Sequence, residues 1–116
     1  MFGFSKEATV ENLEKLVQGK KWDKIKKNYL NGSPETRINL AKACSTSSSD
    51  DSVNILTALL DAPEEAVKIA TLQALAKVGN DHCVTQIQHM ISSVSPDQTE
   101  LRNEIQAALN ALRGKQ

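Results

Sequence analysis

The stretch Pro63-Glu64-Glu65-Ala66-Val67-Lys68-Ile69-Ala70-Thr71-Leu72-Gln73-Ala74-Leu75-Ala76-Lys77-Val78-Gly79 decides the fold. A proline stands where a helix can start and a glycine where it can stop. Between them Val67, Ala70, Thr71, Ala74, Leu75 and Val78 recur at the i, i+3, i+4, i+7, i+8, i+11 spacing of one helix face. Ile69, Leu72 and Ala76 add a second apolar face, as expected of a helix pressed by neighbours on both sides. The same template follows Pro34, with Leu40, Ala43, Cys44 and a weaker Thr36, and follows Pro96, with Leu101, Ile105, Ala108, Leu109 and Leu112. Each copy carries a cation beside its first template position: Arg37, Lys68 and Arg102.

A second set of helices alternates with these. Val53, Leu56, Leu59 and Leu60 make one stripe, and Val84, Ile87, Met90 and Ile91 repeat it 31 residues later; among the proline-started helices the shift is 31 from the first copy to the second and 34 from the second to the third. Upstream, Val10, Leu13, Leu16 and Val17 make a stripe ending before Gly19, and Trp22, Ile25 and Tyr29 another ending before Gly32. The pattern predicts one all-α domain over 1–116, an α-α superhelix of about seven antiparallel helices in roughly three and a half hairpins. Its parts are a diverged N-terminal hairpin (1–32), two repeats (33–61 and 62–94) and a capping helix (95–113). Ser33 and Ser95 are expected N-caps, Ser95 in a capping box with Gln98, and Asp81 is expected to cap the helix after Gly79. Ala62 offers no capping oxygen. Phe2 and Phe4 are expected to cover the open end of the stack. In the last helix Asn103, Gln106 and Asn110 replace the second apolar face, which marks a cap at which the array should end.

Composition agrees. The 116 residues suffice for one modest core, and the four aromatics (Phe2, Phe4, Trp22, Tyr29) are too few for a β-sandwich. No run approaches the roughly 20 apolar residues of a bilayer span, and the N-terminus lacks the pattern of a secretory signal. Cys44 and Cys83 make neither a disulfide framework nor a zinc motif. A cytoplasmic protein is expected.

The run from Ala66 to Asp81, followed by Val84 and Ile87, resembles the HEAT repeat, and specifically the short HEAT-like variety of the phycobilisome lyases: valine, a basic residue, alternating alanines, leucine, glycine, then a further helix. The resemblance spans residues 33–113. It departs at Thr71, where the family prefers Ala, and at 45–49, where a serine-rich loop replaces the glycine turn. It implies an α-solenoid whose basic ladder braces adjacent repeats through acidic partners, with Asp61 placed to serve Lys68.

The zero net charge hides segregation. Residues 1–30 hold seven lysines against four acids, 31–66 two cations against six acids, and 67–116 five cations against four. Lys20, Lys24 and Lys27 are expected to share one exposed helix face. Without arginine or interleaved aromatics this reads first as a solvated face, with phosphate contact as the alternative. His82 and His89 stand about 10 Å apart along a helix, too far to share an ion, and Cys83 beside His82 makes no catalytic pair. Cys44 reads as a buried hydrophobe, and the loop 45–52 as a connector whose last Asp or Ser caps the next helix. With no paired acids, nucleophile-base arrangement, phosphate loop or metal spacing, the chain is expected to be neither an enzyme nor a cofactor binder.

The expected function is to hold another protein or peptide, as a monomeric scaffold, on a concave surface lined by the second helix of each hairpin. The outward positions there are Lys20, Lys24 and Lys27, then Asn54, Thr57 and Asp61, then Thr85, Gln88 and Ser92. The alternatives are nucleic-acid contact through the lysine face, and an accessory subunit of a lyase-type enzyme.

Overall fold

The computed structural model describes residues 8–113, so Phe2 and Phe4 lie outside the described residues. Seven α-helices follow one another: α1 (Val10–Gln18), α2 (Trp22–Asn28), α3 (Pro34–Cys44), α4 (Asp50–Leu59), α5 (Glu65–Val78), α6 (His82–Met90) and α7 (Thr99–Arg113). A short 3-10 turn, Ile91–Ser93, follows α6. The apolar stripes become the core: Leu13, Ile25, Leu40, Leu56, Leu75, Ile87 and Ile105 are all buried. Trp22 and Tyr29 pack half-buried against it.

Side-chain size sets the spacing of the helices. Buried Ala41, Ala43 and Cys44 on α3, Ala70, Thr71 and Ala74 on α5 and Ala108 on α7 let backbones approach, whereas α4 and α6 bury Ile55, Leu56, Leu59 and Ile87. Accordingly α1, α3, α5 and α7 pack side by side in one layer, while α2 and α4 meet at few points and α4 and α6 at fewer still. Helix α4 leans on both α3 and α5, and α6 on α7. A stack spaced more tightly in one layer bends toward it, so the odd-numbered helices form the inner layer. This corrects the expectation that the second helices of the hairpins, α2, α4 and α6, line the concave side.

The helix ends show where local signals held. Ser33 Oγ accepts from the Thr36 amide at 3.2 Å, as expected. In the serine loop the cap of α4 is Ser49, which accepts from the Ser52 amide, rather than the later Asp51 or Ser52. Ser52 is instead buried, its hydroxyl donating to the Cys44 carbonyl at 2.8 Å and tying the loop to the end of α3. Before α6 the side chain that caps is Asn80, whose Oδ1 accepts from the His82 amide at 3.0 Å; Asp81 makes no side-chain cap bond.

Helix α7 starts at Thr99 and not at Pro96. Residues 95–98 first close a turn, with the Gln98 amide on the Ser95 carbonyl at 3.1 Å. Only half of the expected capping box forms, Gln98 Oε1 accepting from the Ser95 amide at 3.0 Å. At the end of α1, Lys20 rather than Gly19 takes the left-handed conformation, with φ 58°. The Lys21 amide reaches the Leu16 carbonyl and the Lys20 amide that of Val17, the paired bonds of a Schellman ending.

The basic ladder does three different things. Arg37 Nη2 meets Glu64 Oε2 at 3.4 Å, an ion pair that joins α3 to the start of α5. Lys68 Nζ donates to the Leu60 carbonyl at 3.1 Å and to the Ala62 carbonyl, so it neutralises the C-terminal end of α4 and does not pair with Asp61. The carbonyls at that end lack intrahelical donors and carry the negative end of the helix dipole, which makes them competitive acceptors for an ammonium. Arg102 is exposed.

Candidate functional site

Two surfaces have the shape of a binding site. The outer one is a polar groove between α4 and α6. Its first part, of 380 Å³, is lined by Asn54 and Thr57 on one side and His82 and Gln86 on the other. Its second, of 470 Å³, is lined by Asp61, Lys68, Gln86, His89 and Met90. The two parts meet at Gln86, whose Nε2 donates to the Thr57 carbonyl at 2.9 Å and bridges the gap that the wide outer spacing leaves.

Of the nine residues expected to bind, this groove gathers Asn54, Thr57 and Asp61. Thr85 and Gln88 on α6 and Ser92 in the 3-10 turn after it are exposed but line neither part of it. Lys24 and Lys27 are exposed on α2, and Lys20 sits in the left-handed turn before that helix, so the three lysines do not share one helix face. Gln86 and His89 escape a reading that looks only opposite the core stripe because they flank it, and Met90 because it belongs to the stripe itself.

The inner surface is a shallow depression across α3, α5 and α7. Ile38, Ala66, Ile69 and Ala70 form its floor, and Glu65, Gln73 and Glu100 stand around it. Ile38 and Ile69 are half-buried, whereas Leu72, on the same expected second face as Ile69, is fully buried. No large hydrophobic residue is fully exposed among the described residues; Leu16, Leu30, Val84, Met90 and Ile91 are half-buried as well, and Ile38 and Ile69 differ in lying together on one depression. Both isoleucines occupy the same position of the 31-residue register, a signal present in the sequence but outside the core template; Asn103 follows 34 residues after Ile69. Hydrogen bonds join neighbouring repeats at its edges: Gln98 Nε2 to Glu65 Oε1 at 3.2 Å, and Gln73 Nε2 to Glu104 Oε2 at 3.3 Å.

The first part of the outer groove is also lined by Asp50 and by Cys83 beside His82. Among the described residues no three His, Cys, Asp or Glu side chains come together as a metal site. Both cysteines are buried, and burial pushes the Cys44 thiol from 9.0 up to about 11 against a small opposing effect of the Ser52 hydroxyl. A thiol so placed is a packing group and not a nucleophile. Thr71, also fully buried, spends its hydroxyl on the Val67 carbonyl of its own helix at 2.7 Å. No helix of the described residues is long and apolar enough to cross a membrane.

No curated protein and no solved structure gives a significant match to the chain. The family model for HEAT repeats matches residues 23–110 without singling out the phycobilisome lyase type. That match, over helices stacked in two layers with Ala-rich contacts on the inner one, shows that the chain belongs to the HEAT repeat family.

Proposed function

We propose that this chain is a non-catalytic interaction module that holds a peptide or helix of another protein on its inner face. HEAT repeats are commonly protein-interaction scaffolds and generally not enzymes. The observation that carries the reading is the half-exposed pair Ile38 and Ile69 on the close-packed inner layer, sharing an apolar floor with Ala66 and Ala70. Such a pair gives a partner apolar contact without the penalty of a large exposed patch. The polar groove bridged by Gln86 is the second candidate surface, because it gathers Asn54, Thr57 and Asp61. The nucleic-acid reading keeps only Lys24 and Lys27 as co-facing cations on α2, too few for strong phosphate binding.

Affinity capture from native lysate tests the proposal. Wild type is compared with Ile38→Ser/Ile69→Ser on the inner face, Gln86→Ala in the outer groove, and Lys24→Glu and Gln88→Ala elsewhere. Loss of the captured partner from the isoleucine variant alone supports the inner face. Loss from Gln86→Ala alone transfers the function to the outer groove, and identical profiles from all variants refute both surfaces.

A further inference from the structure

We infer that the partner segment on the inner face is a cationic amphipathic helix, with its aliphatic edge on Ile38 and Ile69 and its Lys or Arg residues along the carboxylates of Glu65 and Glu100. The inference rests on the interaction reading above and adds the chemistry of the partner. Its ground is an imbalance of charge around the depression. Glu65 and Glu100 both line it, and no cation does. Of the cations in the N-terminal halves of these helices, Arg37 is turned to Glu64 and Lys68 to the carbonyls ending α4, while Arg102 of α7 is exposed but does not line the depression. Apart from Lys68, the lysines of α3 and α5 are Lys42 and Lys77, one and two turns towards the C-terminal ends from Ile38 and Ile69, and neither lines the depression. Amide groups from Gln98 and Gln73 hold Glu65 and Glu104 in place without neutralising them.

An aliphatic floor bordered by carboxylates matches a helix whose apolar stripe is flanked by basic residues. The stripe supplies area, and the basic flank supplies register and discrimination against acidic helices. The floor is short, about two isoleucines wide, so binding to an isolated helix should be moderate and sensitive to salt.

Fluorescence anisotropy with labelled synthetic peptides tests the partner's chemistry. The probes are an amphipathic Leu–Lys helix, a Leu–Glu helix of the same pattern, and a Ser–Lys peptide of equal charge that has no apolar stripe. The Leu–Lys helix is expected to bind at least about tenfold more tightly than either control. Glu65→Gln/Glu100→Gln should weaken it about fivefold, with the melting profile of the variant confirming its fold. In amide NMR spectra of the wild-type protein the same peptide should shift signals of Ile38, Ile69 and Gln73.

Equal binding of the Leu–Lys and Leu–Glu helices, with those same shifts, overturns the charge inference and leaves the inner-face reading standing. Equal binding of the Ser–Lys peptide overturns the apolar part. Shifts confined to Gln86 and His89 overturn both, and so does the absence of binding by every peptide when Ile38→Ser/Ile69→Ser still captures the wild-type partner.

Discussion

Separating Arg37 from Glu64 should cost unequal amounts depending on which partner is removed. The pair is incomplete: one contact of 3.4 Å, with Arg37 Nε and Glu64 Oε1 both buried and lacking a hydrogen-bond partner. The Arg37 side chain is 17% exposed and that of Glu64 34%. Arg37→Met keeps the aliphatic stem and leaves Glu64 at the N-cap of α5, where the positive end of the helix dipole still favours a carboxylate. That substitution should cost about 1 kcal/mol. Glu64→Gln leaves a largely buried guanidinium facing a neutral amide and should cost about 2 kcal/mol, below the roughly 3–5 kcal/mol of a fully buried pair because a third of the carboxylate side is wet. The double variant removes the stranded charge, so it should be no worse than Glu64→Gln alone, a coupling of about 1 kcal/mol. Urea unfolding of the four proteins with a shared m-value measures the cycle. Equal costs for the two single variants, or strict additivity in the double, would refute the idea that α5 supports its own cap and that Arg37 depends on it.

The Cys44 thiol titrates higher in the folded chain than its ordinary 9.0, at about 11, so its contribution is complete below pH 9 and is lost as pH rises from 9 towards 11. The loss should be on the order of 3 kcal/mol, and Cys44→Ala should remove that slope; parallel pH curves for the two proteins would sink the assignment. Gly79→Ala puts a Cβ 2.6 Å from the Leu75 carbonyl oxygen and 3.1 Å from Leu112 Cδ2, and should cost about 1–3 kcal/mol in thermal unfolding. A loss under about 0.5 kcal/mol would mean the turn moves aside freely. Lys20→Gly relieves a left-handed lysine and should stabilise by up to about 1 kcal/mol, whereas Lys20→Ala should not; the contrast is read from urea midpoints. Thr71→Val should stay within about 1 kcal/mol of wild type, because the Val67 carbonyl that accepts the hydroxyl also belongs to the helix ladder; a larger loss in the same urea assay would count against that account.

The helices and their register were legible because proline starts and 3.6-residue periodicity are local properties. Pro34 and Ser33 act as they read. Pro96 does not, since a turn closed by Ser95 and Gln98 comes before the helix, and Pro63 stands just outside α5, which begins at Glu65 with Glu64 as its N-cap. The partner of Lys68 was missed because reading charge against charge ignores the uncapped carbonyls at the end of α4, which lie within reach of its ammonium. The side of curvature was misjudged for a different reason. Apolar periodicity treats Ala74 and Leu59 alike, but their size decides how near two helix axes come, and the layer rich in alanine turns inward. The isoleucine pair was visible as a repeat in the 31-residue register, yet nothing in the sequence alone says that Ile69 stays half-exposed while Leu72 closes against its neighbours.

The unequal spacing of the two layers has a mechanical consequence. Tight alanine contacts make the inner layer stiff in compression, while the outer layer is joined between α4 and α6 by little more than the Gln86 side chain on the Thr57 carbonyl. The chain should behave as a leaf hinged along its inner side, in which widening the outer groove flattens the inner face at the expense of about one hydrogen bond. Elastic compliance should then be greatest where packing is sparsest, along the line that Gln86 bridges.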